Sequence, residues 1–157
     1  MTTTSVPAEN HARMEWALDR LGECDIDLTP AVYEKFFARH SSVRPMFHDR
    51  SRETQGRMLY EVISMLVDAA AQREWVDGMV TTTVCDHGNY GPIGVDDYRM
   101  FLETIEQCLR DALDSTGAAS ADVASCLDAW HAQTERLLAL IKKKLAERFR
   151  PATADLA

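Results

Sequence analysis

The chain has 157 residues, 46% hydrophobic and 27% charged, a balance that fits one folded domain rather than two. A formal net charge of −8 argues against a nucleic-acid binder, which needs a basic face to release phosphate counterions, and against docking on anionic lipid. No run approaches the ~18 consecutive apolar residues of a membrane span, and the polar start Met1–Asn10 lacks the basic head and apolar core of a secretory signal. The four cysteines, Cys24, Cys85, Cys108 and Cys126, form no CxxC pair, and three of them read as small buried hydrophobes. The expectation is a cytoplasmic protein with neither nucleic acid nor membrane as partner.

Apolar spacing predicts helices nearly throughout, and β-branched residues cluster only around Val80 to Val84. A first helix is expected from about His11 to Leu21, with Gly22 as its stop. Thr29 reads as an N-cap with Pro30 in the first turn, followed by a face of Val32, Tyr33, Phe36, Phe37 and His40. Pro45 closes that unit, with a short turn reaching Phe47, and His48 to Gln55 is polar. A wide stripe then runs through Met58, Leu59, Val62, Ile63, Leu66, Val67 and Ala70. The next helix, about Glu74 to Asp86, ends at His87-Gly88, before a loop rich in glycine that reaches Gly94. Asp96 or Asp97 caps a helix striped with Tyr98, Phe101, Leu102, Ile105 and Leu109, and Ser120 caps a long last helix reaching Phe149. Residues 1–10 are expected to be a flexible segment, 11–150 the folded domain and 151–157 a flexible tail. Helices of such unequal length suit crossed packing at steep angles better than a regular four-helix bundle.

His87 stands out by its place at a helix C-terminus. One reading is a favourable contact with the helix dipole, worth about 0.3–1 kcal/mol. The other is an axial ligand to haem iron, which needs an acceptor for its second ring N–H. Tyr98 or a backbone carbonyl near Val84 would serve. Tyr33 reads either as a core tyrosine satisfied locally or as a donor into a site, and Gln55 either as a solvated first-turn residue or as a second donor. No paired carboxylates, GxSxG elbow or glycine-rich loop after a strand is present, so hydrolase and nucleotide motifs are missing from the sequence. Lys142-Lys143-Lys144 reads as a solvated cationic face.

Four segments occur together in a familiar order. The run LTPAVYEKFFARHSSVRPMF (Leu28 to Phe47) resembles the second and third helices of bacterial globins, in particular the globin domain of flavohaemoglobins. QGRMLYEVI (Gln55 to Ile63) resembles their distal helix, HGNYGPIGVDDY (His87 to Tyr98) their proximal histidine loop, and CLDAWHAQTERLLALI (Cys126 to Ile141) the start of their last helix. The resemblance implies an all-α globin fold of six to eight crossed helices around a haem pocket. It implies haem b, with His87 as proximal iron ligand, Tyr98 bonded to it, and Phe47 stacked on the porphyrin. Tyr33 and Gln55 would be distal donors, Leu59 would sit over the iron, and Val62 and Phe101 would complete the apolar wall. O2, CO and NO are the ligands it implies, with reversible O2 binding as the function. NO dioxygenation is the enzymatic variant and would take electrons from a reductase in trans. A gas-sensing or haemless regulatory protein acting through a partner is the alternative. Three departures mark this chain: a longer loop between His87 and Tyr98, a shorter segment between Phe47 and Gln55, and Lys143-Lys144-Leu145 on the last helix where flavohaemoglobins carry a glutamate. His48, beside Phe47, is a rival sixth ligand.

Overall fold

The computed structural model describes residues 5–149. The tail expected at 151–157, and the first four residues of the expected N-terminal segment, lie outside the described residues. Every element within them is helical: α1 (Val6–Glu23), α2 (Thr29–Arg39), a 3₁₀ segment (Ser41–Phe47), α3 (Arg52–Ala70), α4 (Trp75–His87), α5 (Val95–Ser115) and α6 (Ser120–Arg148). No described helix is long and apolar enough to cross a membrane.

The helix ends follow local chemistry, and several differ from the sequence expectation. α1 starts at Val6, ahead of the expected His11, because Ser5 is extended and Pro7 sits in the first turn. It also runs through Gly22. The stop is instead a Schellman turn with Asp25 left-handed at φ 54°, in which the N–H groups of Ile26 and Asp25 donate to the carbonyls of Leu21 and Gly22. The end of α3 repeats the device with Gln72 at φ 56°. Thr29 is the first residue of α2 rather than its cap, and the Asp27 carboxylate accepts its N–H at 2.9 Å. Ser51 caps α3 through its hydroxyl, which accepts the Thr54 N–H at 3.2 Å. Gly94, not Asp96 or Asp97, occupies the N-cap of α5, and Asp97 reaches back to accept the Gly94 N–H at 2.8 Å. Ala119 rather than Ser120 is the N-cap of α6.

α6 is the spine of the molecule. α1, α3, α4 and α5 all pack on it, while α2 reaches the core by way of α3 and α5. The α5–α6 seam is built from Ile105, Leu109 and Leu113, all fully buried, facing Trp130, Leu137 and Leu138 of α6 within the main core cluster. Their i, i+4, i+8 spacing puts them on one side of α5. Burial of each such side chain stabilises the fold by about 1.5–3 kcal/mol. Two cysteines, Cys108 and Cys126, are buried and two, Cys24 and Cys85, are exposed, so the buried set is one smaller than expected. All four are free thiols.

Leu109→Ala should lower unfolding free energy by about 2–5 kcal/mol in a denaturant titration of the ligand-free chain. Tyr60→Ser, at a side chain 71% exposed, should stay within about 0.5 kcal/mol of the parent.

Candidate functional site

A cavity of about 440 Å³ lies between α2, the 3₁₀ segment, α3, α4 and α5, with Leu137 and Ile141 of α6 in its lining. Its walls are mainly apolar and its size falls within the about 300–1,000 Å³ of small-molecule and cofactor sites. Aromatic rings hold one side open. Phe36 meets Phe101 edge-on at 5.0 Å between centroids, Tyr33 meets Phe47 at 5.6 Å, and Tyr33 meets Phe101 at 5.7 Å. These contacts tie α2 to α5 and to the 3₁₀ segment without filling the space between them.

Six of the eight residues singled out in the sequence line this cavity: Tyr33, Phe47, Val62, His87, Tyr98 and Phe101. Gln55 and Leu59 do not line it. The reason lies in the width of the α3 stripe. One residue is about 100° around a helix, so the stripe divides into two faces. Met58, Glu61, Val62 and Met65 border the cavity, whereas Leu59, only 3% exposed, and Leu66 join the main core. The Gln55 backbone carbonyl is nevertheless engaged, because it accepts the Tyr33 hydroxyl at 3.1 Å. His48 does not line the cavity; its ring is 85% exposed and bonded to Asp49. Sequence reasoning missed Met46, Met58 and Met65, as well as Arg50 and Tyr90 at the rim. The i, i+4, i+7 spacing of Met58, Val62 and Met65 was the available signal for the α3 part.

His87 is the last residue of α4, half-buried, with its ring stacked on Tyr98 at 5.5 Å and 26° between planes. Its Nδ1 is 2.9 Å from the Tyr98 hydroxyl. Of the two partners the sequence offered, Tyr98 is the one His87 meets. The Val84 carbonyl accepts instead from the Gly88 N–H at 3.3 Å and from Arg148 at 2.9 Å. With Nδ1 engaged, Nε2 is the ring nitrogen left for a ligand. Burial lowers the His87 pKa below the usual 6.5, with Asp86 opposing it, and so favours the neutral ring that metal ligation requires. Burial pushes the Tyr98 hydroxyl up to about 12, with Arg148 pulling the other way and Asp97 adding to the rise. Tyr33 is raised by burial as well. All three groups are therefore neutral near pH 7.

The rim is charged. Arg50 donates to the Tyr90 hydroxyl at 2.9 Å and lies over its ring at 5.4 Å. Arg50 is the one cation among the cavity's lining residues, beside Glu61, Asp86 and Asp97. On α6, Lys144 departs from the solvated face expected of it and pairs with Asp77 of α4 at 2.7 Å. No family model matches the chain, and neither does any curated protein or solved structure.

The depressed His87 value fixes the sign of a pH effect. The stability contributed by its neutral ring is full above the usual 6.5 and is lost as pH falls through the lowered value, because there the unfolded chain takes up a proton that the folded one resists. Between about pH 8 and 5, the ligand-free His87→Gln chain should therefore lose less of its unfolding midpoint than the parent. Parallel profiles would show that the His87 ring is not held neutral by the fold.

Proposed function

We propose that this chain is a haem-binding globin of the bacterial single-domain type that binds O2 reversibly. The observation that carries the proposal is His87 itself: a half-buried imidazole in the lining of a mainly apolar cavity of about 440 Å³, its Nδ1 held by Tyr98 and its Nε2 left over. Among the described residues no three His, Cys, Asp or Glu side chains gather closely enough to hold a bare metal ion. A metal that arrives inside a macrocycle needs only one axial imidazole from the protein, and one is what this cavity offers. The residues present fit that group. Phe47, Val62 and Phe101 supply apolar wall for a flat ring system, and Arg50 is the cation available to its carboxylates.

Haem, when bound, supplies an iron centre with one coordination position open to O2, CO or NO. The chain's residues do the rest. The Nδ1 of His87 is bonded to Tyr98, which holds the ring orientation. The apolar walls exclude water. Tyr33 is the donor available on the cavity wall, and its proton is shared at present with the Gln55 carbonyl. Turning that hydroxyl inward gives a hydrogen bond to a diatomic ligand that has drawn electron density, worth about 1.5–3 kcal/mol. Because Gln55 lies off the cavity lining, its contribution runs through Tyr33. Conversion of NO to nitrate would add an electron donor in trans to the same site.

The test is an absorption spectrum of the haem-reconstituted chain, ferric, then reduced, then under CO, beside His87→Ala. A sharp Soret band that shifts with CO and is disrupted in the variant supports the proposal. The same spectrum in both proteins removes His87 as the ligand, and failure to take up haem specifically leaves the cavity to another occupant. In the loaded protein Tyr33→Phe should speed O2 release by about tenfold or more, read by stopped-flow displacement.

A further inference from the structure

We propose that Arg148 is the positioning residue for His87, clamping the last turn of α4 and setting a fixed positive charge beside the His87–Tyr98 pair. The proposal rests on the haem-binding reading for its electronic part and on geometry alone for the clamp. The end of any α-helix leaves its last carbonyls without intrahelical partners. Arg148 Nη1 donates to one of these, the Cys85 carbonyl, at 3.4 Å, and also to the Val84 carbonyl at 2.9 Å, which shares it with the Gly88 N–H. Both precede His87 within one turn. A second observation comes from Gly88, where an added Cβ would fall 1.6 Å from Arg148 Nη1. The backbone there is ordinary right-handed helix, φ −62° and ψ −15°, so an added side chain at Gly88 would meet the guanidinium and displace it, with no backbone strain. A third is the Lys144–Asp77 pair at 2.7 Å, one turn earlier on α6. α6 thus grips α4 twice, and the second grip lies at the histidine.

The charge has a consequence of its own. A carboxylate behind a metal-bound imidazole raises the basicity of the ring, and a cation does the reverse. Asp86 and Asp97 are the sequence neighbours of His87 and Tyr98, and the Arg148 guanidinium, held on the Val84 and Cys85 carbonyls within one turn of His87, is the cation placed against them. With haem bound, a less electron-rich His87 imidazole would favour the reduced iron.

The experiment compares Arg148→Gln, Arg148→Lys, Gly88→Ala and the Gly88→Ala/Arg148→Gln pair in the full chain. In the ligand-free protein, Gly88→Ala displaces the guanidinium, so both single changes remove the same interaction. The double variant should then melt no lower than the worse single one, and additive losses would overturn the clamp. In the haem-loaded protein, Arg148→Gln should lower the ferric/ferrous midpoint potential, raise the iron–imidazole stretching frequency and release haem about tenfold faster. Arg148→Lys keeps the charge but loses the two-carbonyl fork, so its potential should stay near the parent's while haem release quickens. An unmoved potential and stretching band in Arg148→Gln would overturn the role of the charge. Failure of the parent itself to load haem overturns the functional reading and with it the electronic role, while the coupling in the ligand-free chain still decides the clamp.

Discussion

The edge-on contact of Phe36 with Phe101, 5.0 Å between centroids, sets the terms for the rest of the molecule. Protein interiors close-pack, and a void costs its lining the dispersion contacts it would otherwise make. A cavity of about 440 Å³ in this chain therefore needs rigid walls that cannot slump inward. Aromatic rings meet that need, because they span large distances with few rotatable bonds. Phe36 and Tyr33 on α2 brace against Phe101 on α5, and Phe47 in the 3₁₀ segment braces against Tyr33. The same braces keep the far side of the cavity apolar, so its few polar atoms, His87, Tyr98 and Tyr33 above all, meet little competition from water.

Around this frame the molecule separates two tasks. α3, α5 and α6 carry the densest burial, with Ile105 and Leu109 fully buried and Leu66 and Trp130 nearly so. α4 is short, and its polar end bears the histidine. Its stability is borrowed from α6, through Val80 and Val84 in the core and through Lys144 and Arg148 at its flank. A functional side chain on the last residue of a helix is exposed to fraying. Tying the carbonyls of that last turn to a neighbouring helix removes the freedom that would blur its position.

Much of this was legible in the sequence. The long stripes on α3, α5 and α6 announced helices because their apolar periods are sustained, and Tyr98 could be offered, beside a carbonyl near Val84, as the partner of His87 because a ligating imidazole needs an acceptor for its second N–H. Two kinds of feature were not legible. Helix ends depend on backbone conformation at single residues: Asp25 and Gln72 turn left-handed where glycine was the expected signal, and Gly22 passes as an ordinary helical residue. The facing of α3 was the other. Leu59 and Met58 are neighbours in one broad apolar stripe, and only the packing of α3 between the core and α4 decides which of them meets the cavity. The placing of Gln55 and Leu59 followed the resemblance alone, across a connecting segment shorter than the family's, and the cavity lining on this helix is Met58, Glu61, Val62 and Met65. Arg148 was hidden for a different reason: its partners are backbone carbonyls, which leave no mark in a sequence.

The dependence of α1, α3, α4 and α5 on α6 also bears on how the protein is made. A ribosome delivers the chain from its N-terminus at about 5–20 residues per second, and α6 is the last described element to emerge. Until Leu137 and Ile141 arrive, the cavity lacks part of its lining, and α1, α3, α4 and α5 lack the surface they share. The nascent chain would then be a set of partly formed helices with exposed apolar stripes. Any occupant of the cavity can be fully enclosed only once α6 has joined the helices that precede it.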